Sequence, residues 1–159
     1  MSADVPRHDA RSSLIAVSDD PVCRESTLSV LNTWLTPTEH YFIRHHFSEV
    51  PHLDPATWHL VLDGEVHRPL QLRWADLLAM PSHEVVMTME CAGNSRSYVT
   101  PPAEGLAFRH GAVSTARWKG VPLRTVLEHV GVKETAVEVL FEGADAGSEE
   151  EDGVAVALH

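Results

Sequence analysis

The pattern of apolar and polar positions in the middle of the chain predicts a strand pair followed by a short helix. Apolar and polar residues alternate in WHLVLDGEVHRPLQL (residues 58–72), on both sides of Asp63-Gly64, a pair that favours a tight hairpin turn. The next segment, RWADLLAM (residues 73–80), carries its apolar residues at helical spacing. Pro81 ends this predicted helix, because proline has no backbone N–H to donate.

The second half of the chain predicts further strands and one longer helix. The apolar run of residues 85–89 is typical of a central strand that is covered on both faces. A one-sided apolar stripe then predicts a helix that ends at Gly131. The stripe consists of Val121, Leu123, Val126, Leu127 and Val130. Residues 136–141 predict another strand, residues 142–152 an acidic loop, and residues 154–158 a last apolar run without a partner.

These elements predict an α+β fold, with a mixed sheet and short helices. Residues 1–33 are polar and show no sustained periodicity, so we expect a loosely ordered N-terminal arm. Residues 34–159 are expected to form one domain, because this length supports a single hydrophobic core. The unpartnered apolar run at the end of the chain predicts that the sheet is incomplete.

Charge and cysteine content narrow the classes of partner. The chain has 159 residues and a formal net charge of -11, from 23 acidic and 12 basic residues, which argues against a general affinity for nucleic acid or anionic membrane. No segment approaches the length of a membrane-spanning apolar run, and no signal peptide is visible. The only cysteines are Cys23 and Cys91, so we expect a reducing compartment and a cytoplasmic protein.

Cys91 is the first candidate for chemistry, because it follows the predicted strand and precedes Ala-Gly-Asn. Small residues let another group approach the sulfur, and Arg96 offers a planar cation that favours a thiolate and binds oxyanions. Three alternatives stay open at this point. Cys91 is a buried small hydrophobe, or it contributes to a zinc site with scattered histidines such as His40, or it is a nucleophile with a histidine base that the sequence does not identify.

Four segments together resemble the molybdopterin-binding domain of the sulfite oxidase family. They are YFIRHH (residues 41–46), MECAGNSR (89–96), GAVSTARWKGVPL (111–123) and FEGAD (141–145). Their order and separation match the family, and the resemblance covers residues 34–159. It includes neither a haem domain nor a dimerisation domain, and family members continue well beyond the position of His159, so the chain is expected to be truncated at the C-terminus.

The resemblance implies a molybdenum-molybdopterin cofactor whose metal is held by the thiolate of Cys91, a soft ligand. Cys91, Arg44 and Arg96 would form the catalytic group, with the two arginines facing the substrate. The cofactor-binding residues would be Phe42, Ile43, Arg44, His45, His46, Cys91 and Asp145. The implied reaction is oxygen-atom transfer to or from a small oxyanion or oxo substrate such as sulfite, with an external electron acceptor or donor. The oligomeric state, a homo-oligomer included, stays open.

Three departures from the family leave the substrate open. His45 stands where many relatives carry asparagine, Ser95 where some carry a second arginine, and Phe108 where the better known sulfite oxidases carry tryptophan. Sulfoxide or nitrate would suit the same metal site. Two alternatives to an active enzyme also remain: a non-catalytic fragment of this fold that needs a partner chain, and a thiol enzyme that uses Cys91 as nucleophile.

Overall fold

The computed structural model describes residues 14–151 and 154–158, and it has the predicted α+β character. Contacts divide the chain into two compact units, one built from residues 14–48 and 86–117, the other from residues 49–85 and the chain after residue 117. The strands are β1 Ile15–Asp19, β2 Val22–Glu25, β3 Ile43–Arg44, β4 His59–Leu62, β5 Leu70–Arg73, β6 His83–Glu90, β7 Val113–Gly120, β8 Gly147–Glu151 and β9 Val154–Leu158. The α-helices are α1 Trp74–Ala79 and α2 Leu123–Val130. Short 3-10 turns lie at Leu28–Val30, Thr38–His40 and Arg96–Tyr98.

The first unit begins with a three-stranded antiparallel sheet in the order β1-β2-β3. Its central strand is buried at Cys23, Arg24 and Glu25. The prediction of a loosely ordered arm is therefore wrong for residues 14–33. The polar composition misled because the charged residues of β2 are buried with partners: the Arg24 guanidinium, for example, donates to the Asp19 carboxylate over 2.7 Å. Residues 1–13 of the predicted arm lie outside the described residues.

Strands β6 and β7 form a two-stranded sheet. Thr88 and Thr115 are joined by their hydroxyls over 2.7 Å, and the Cys91 N–H donates to the Ala112 carbonyl over 2.9 Å, so the strands run antiparallel. The strand predicted at residues 85–89 is confirmed, but its predicted burial is wrong. Its apolar side chains are 39 to 49% exposed, because no other layer of the described chain covers them.

In the second unit, the strand pair β4-β5 and the helix α1 confirm the prediction from residues 58–80. Gly64 adopts a φ of +80°, the left-handed conformation that glycine accepts without strain. However, β5 starts only at Leu70. The residues before it contact the end of the α2 region instead, where Val66 forms a bridge with Val132. The predicted turn is present, and the connection is longer than a tight hairpin.

The helix α2 ends at Gly131 as predicted, with Val126 and Val130 buried. The strand predicted at residues 136–141 is absent from this described segment, whose residues are irregular and, after Ala136, exposed. A strand needs a hydrogen-bonded partner, which the residue types of one segment cannot supply. Residues 147–151, predicted as loop, form β8, and the apolar run that was predicted to lack a partner pairs with it as β9. Among the described residues, no helix is long and apolar enough to cross a bilayer.

Candidate functional site

Cys91 is the first residue after β6. Its N–H donates to the carbonyl of Ala112, one residue before β7, so the thiol lies where the two strands separate. The cysteine is unbridged and half-buried, and its Sγ accepts the N–H of Gly93 over 3.4 Å. The strand end therefore presents a sulfur that is partly accessible and that accepts one backbone hydrogen bond.

A small apolar cluster brings Cys91 next to residues that are distant in sequence. Cys23, Phe108 and Ala112 are fully buried, and Phe42 and Cys91 pack against them. Phe42 and Cys91, both assigned to the cofactor from sequence, are thus brought together. The alternative of Cys91 as a wholly buried hydrophobe does not describe this site, because Cys23 occupies the core position while Cys91 lies at its edge.

Asn94 fixes the turn that follows the cysteine. Its N–H donates to the Cys91 carbonyl over 2.9 Å, and its side-chain Nδ2 donates to Glu90 Oε1 over 2.8 Å. Its Oδ1 accepts the N–H of Ala112 over 3.1 Å. One amide side chain therefore connects the end of β6, the turn and the start of β7. This is the physical reason for an asparagine three residues after the cysteine.

Arg96 and Cys91 approach each other over Gly93. A β-carbon added to Gly93 would lie 3.6 Å from Cys91 Sγ, 3.6 Å from Arg96 Nη2 and 3.5 Å from Phe108. The glycine thus leaves a cradle, the space over Gly93 between the Cys91 sulfur and the Arg96 guanidinium. Arg96 is half-buried, and its Nη1 donates to the Glu104 carbonyl over 2.8 Å.

Ser95 has a φ of +66°. Its hydroxyl lies 3.0 Å from His110 Nδ1, and the His110 ring stacks on Tyr98 at a centroid distance of 4.4 Å. The hydroxyl is therefore engaged by His110 rather than by the thiol of Cys91. The unusual residue is accommodated by a local partner of its own.

The segment of residues 42–46 reaches the same unit through β3. Arg44 pairs with Cys23 and Ile43 with Arg24 across the sheet. Arg44 is exposed, and its guanidinium donates to the His45 carbonyl and lies 3.4 Å from His46 Nδ1. The buried ring nitrogen Nδ1 of His45 has no hydrogen-bond partner among the described residues. His40 Nδ1 is buried in the same way, and a buried nitrogen of this kind takes its hydrogen bond from a water molecule or from a ligand.

Polar residues that the sequence did not single out support this segment. The Phe42 N–H donates to Ser114 Oγ over 3.2 Å, and Ser114 Oγ lies 3.3 Å from Ser26 Oγ. The buried carboxylate of Glu25 accepts the Arg109 N–H over 2.7 Å. Burial raises the pKa of the phenol of Tyr41, which keeps this hydroxyl protonated. No local motif could have revealed these contacts, because the partners lie 72 to 88 residues apart.

Asp145, the remaining predicted cofactor residue, belongs to the second unit and is exposed. A β-carbon on Gly143 would collide with its Oδ1, so the glycine permits the compact turn of residues 143–145. The other predicted residues all lie in the first unit. The cofactor contact of Asp145 stays a prediction.

The residues of the first unit fit a large cofactor that brings its own metal ligands. They provide the accessible thiol of Cys91 and the cradle over Gly93, which a single methyl group would fill. They also provide the Nδ1 of His45, which has no hydrogen-bond partner among the described residues. Within the described ranges, no three His, Cys, Asp or Glu side chains gather into a metal site. A metal held here would take one sulfur from the protein and its further ligands from the cofactor, as the resemblance implies.

Comparison with known proteins identifies the family. The oxidoreductase molybdopterin binding domain matches residues 46–158. The sulfite oxidase of Gallus gallus is 41% identical over 152 residues, which are 91% of this chain and 32% of the relative. The mitochondrial sulfite oxidase of Rattus norvegicus is 43% identical over 119 residues, 72% of this chain and 22% of that protein. The chain belongs to the sulfite oxidase family of molybdopterin-binding oxidoreductase domains.

Two further comparisons concern another relative and a solved structure of the same fold. An NADH nitrate reductase of Solanum lycopersicum is 36% identical over 118 residues, 70% of this chain and 13% of the relative. The crystal structure of the sulfane dehydrogenase SoxCD from Paracoccus pantotrophus has the same fold, with a TM-score of 0.67, 24% identity, and coverage of 84% of this chain and 37% of that chain. The predicted family, fold class and molybdenum cofactor are therefore confirmed. The chain spans about a third or less of the length of these relatives.

Proposed function

We propose that this chain is the cofactor-binding part of an oxidoreductase that transfers an oxygen atom to or from a small oxyanion, with sulfite as the first candidate. The observation that carries this proposal is the juxtaposition of the Cys91 thiol and the Arg96 guanidinium over Gly93. The relatives are named for sulfite and for nitrate, which are both small oxyanions. A thiolate beside a cation suits a metal site that receives an anion.

Cys91 would bind the molybdenum, and the segment of residues 42–46 would contact the pterin. Phe42 packs beside Cys91 and offers an apolar surface, while the orphaned Nδ1 of His45 offers a hydrogen bond. Asp145 would accept a further hydrogen bond. When bound, the molybdenum cofactor supplies two-electron oxygen-atom transfer, which no side chain can perform.

The arginines would bind and orient the oxyanion. A guanidinium presents parallel N–H donors that match two oxygens of one anion. Arg96 and Arg44 both lie in the first unit and would each present such donors, although the whole chain has a net charge of -11. A preorganised cation lowers the cost of bringing an anion to an electron-rich centre. Oxidation of sulfite with water to sulfate releases two electrons and two protons, and the electrons would leave to an external acceptor.

Metal analysis tests this proposal. The full chain and its Cys91→Ser variant are purified from a host that makes the molybdenum cofactor, and molybdenum is measured by inductively coupled plasma mass spectrometry. We expect about one molybdenum per chain, lost in Cys91→Ser, because a hydroxyl is a poor ligand for a thiolate site. Cys23→Ala is the matched control, since it removes the other thiol, and it should keep the metal.

Substrate assays follow on the loaded protein. Sulfite oxidation is measured with a dye as electron acceptor, and nitrate reduction with a reduced dye as electron donor. Turnover with sulfite that disappears in Cys91→Ser supports the proposed reaction. Molybdenum retained in Cys91→Ser at the level of Cys23→Ala would contradict the assigned ligand. A loaded chain that turns over neither anion would contradict the substrate class.

A further inference from the structure

The guanidinium of Arg96 is held by an unusual backbone segment, Glu104-Gly105. Arg96 Nη1 donates to the Glu104 carbonyl over 2.8 Å. Gly105 has a φ of +97°, which L side chains rarely adopt. A β-carbon on Gly105 would overlap Arg96 Nη1 and lie 3.1 Å from its Cζ. Gly105 is therefore required both for the turn and for the space in which the guanidinium lies.

This contact determines which donors of Arg96 remain available. Hydrogen bonding by Nη1 leaves Nε and Nη2, whose N–H groups point in parallel along one edge of the planar group. Among the residues that the structure describes, neither nitrogen has a hydrogen-bond acceptor. Nη2 lies 3.6 Å from the position of a Gly93 β-carbon, as does Cys91 Sγ. The Nη2 end of this edge therefore lies in the cradle over Gly93, together with the sulfur of Cys91.

We propose that Gly105 and the Glu104 carbonyl are positioning elements for Arg96, and that they reserve its Nε/Nη2 edge for side-on binding of an oxyanion. The inference rests on the proposed function, in which Arg96 meets the substrate. An arginine with free rotation would lose side-chain entropy whenever it bound an anion. Fixing one corner of the guanidinium removes part of that cost before binding.

A turn glycine elsewhere in the chain separates this role from simple backbone strain. Gly64 also has a positive φ, +80°, but a β-carbon there would meet nothing within 4 Å. Gly64→Ala therefore introduces strain without displacing a side chain. Gly105→Ala introduces the same kind of strain and also displaces Arg96. The two variants form a matched pair.

The first measurement is the reactivity of Arg96 in the full chain. The protein is treated with phenylglyoxal, and the modification of each arginine is followed by peptide mass spectrometry. In Gly105→Ala we expect Arg96 to react several-fold faster than in the unaltered chain, because Nη1 has lost its acceptor. Arg73, which is paired with Asp76, is an internal reference and should not change. Gly64→Ala should leave Arg96 unchanged.

The second measurement is the affinity for sulfate, an oxyanion that does not react further, by isothermal titration calorimetry. We expect Gly105→Ala to weaken sulfate binding by about 10- to 100-fold, the usual effect of a misplaced binding group. Gly64→Ala should bind sulfate like the unaltered chain. If Gly105→Ala does not fold, Gly105→Asn carries the same test, because asparagine tolerates a positive φ but still has a β-carbon. Gly64→Asn is then the control.

Molybdenum content, measured in the same preparations, separates this inference from the proposed function. Gly105→Ala should keep its molybdenum, because Cys91 and its contacts are unchanged. Loss of molybdenum in all preparations would contradict the proposed function, whereas Arg96 reactivity would still report its positioning. Equal Arg96 reactivity in Gly105→Ala and Gly64→Ala would overturn the positioning role. Equal sulfate affinity in the two variants, or no sulfate binding by the unaltered chain, would overturn the proposal that the Nε/Nη2 edge of Arg96 binds an oxyanion.

Discussion

The turn after Cys91 and the segment that carries Asp145 differ sharply in how their side chains are held. Around Cys91, the turn of residues 91–96 is fixed by Asn94 and packed against a fully buried Phe108. In the segment of residues 136–145, which carries Asp145, the exposed fractions of Val137, Leu140 and Phe141 are 91, 89 and 73%. Both segments carry residues of the family resemblance, MECAGNSR in the first and FEGAD in the second. A motif therefore identifies residue types, whereas the precision of a site depends on the packing of the residues around it.

This difference predicts different responses to mutation. A site that is fixed by many short contacts is sensitive to a single added methyl group, because packed interiors have little free volume. An exposed segment absorbs most substitutions. The effects of substitution should therefore be large around Cys91 and small around Asp145.

The largest effect is expected for Gly93→Ala. The added methyl would make ordinary contacts of 3.5 to 3.6 Å, so the chain should still fold, but the methyl fills the space between Cys91 and Arg96. We expect molybdenum binding to weaken by about 10- to 100-fold, as for other changes beside a metal ligand. Molybdenum content and the thermal unfolding midpoint are measured on the same samples.

Gly120→Ala is the control for Gly93→Ala, because a β-carbon there meets nothing within 4 Å. It should keep both its molybdenum and its unfolding midpoint. Full loading of Gly93→Ala would show that the cofactor does not need the cradle, and the contrast between the two segments would lose its functional meaning.

The second prediction concerns Glu25, whose buried carboxylate accepts the backbone N–H of Arg109 in the first unit. Glu25→Ala leaves the Arg109 N–H without its acceptor, so we expect the free energy of unfolding to fall by about 1 to 3 kcal/mol. Glu25→Gln keeps an acceptor oxygen and should lose less. Glu39→Ala, at an exposed position, is the control and should change stability by less than about 0.5 kcal/mol.

Urea unfolding curves measure these differences. Equal stability of Glu25→Ala and Glu39→Ala would mean that the buried carboxylate contributes nothing to the fold of the first unit. A larger loss in Glu25→Gln than in Glu25→Ala would mean that the unpaired amide group, rather than the lost acceptor, dominates the energy.

Glu25 also shows where the sequence was insufficient. The motifs singled out Cys91, and the structure brings Phe42 and Arg96 close to it, whereas its role as metal ligand stays a prediction. Local patterns also predicted α2 and its end at Gly131 correctly. Glu25 lies in a polar stretch that appeared unstructured, and its partner Arg109 is 84 residues away. Its burial could not be predicted, because it depends on a non-local contact.

The strand prediction for residues 136–141 was wrong because a local pattern was present but a non-local partner was missing. Its run of apolar and β-branched residues is a local signal for a strand, but a strand exists only when its backbone groups are paired. The described residues supply no such partner, whereas they do pair β8 with β9. Periodicity thus predicted which residues are able to form a strand, and pairing decided which of them do.

The third prediction tests the exposed segment directly. Asp145→Asn should change the free energy of unfolding by less than about 0.5 kcal/mol, because the side chain is exposed. If Asp145 accepts a hydrogen bond from the cofactor, molybdenum content should fall, but by less than in Gly93→Ala. Glu142→Gln, another exposed carboxylate of the same segment, is the control and should keep its molybdenum. A loss in Asp145→Asn as large as in Gly93→Ala would remove the contrast between the two segments.

The smallest effect is expected at the start of α1, where an exposed ion pair is held by local geometry alone. Asp76 accepts the Arg73 N–H over 2.9 Å and its guanidinium over 3.1 Å. Hydrogen bonds from the Arg73 side chain and backbone lower the pKa of the Asp76 carboxyl. A lowered folded-state pKa stabilises the protein above the unfolded-state pKa, and this contribution is lost as the pH falls through the folded-state value.

Stability should therefore decline below pH of about 4, the ordinary range of an aspartate, and this part of the decline should be missing in Asp76→Asn. Urea unfolding at pH 7 and at pH 3 measures it for both proteins, with Glu128→Gln as the control for removal of one surface carboxylate. A pH dependence that is identical in Asp76→Asn and Glu128→Gln would mean that the cap contributes nothing measurable. A decline that is smaller only in Asp76→Asn would show that local capping orders this helix without the dense packing that surrounds Cys91.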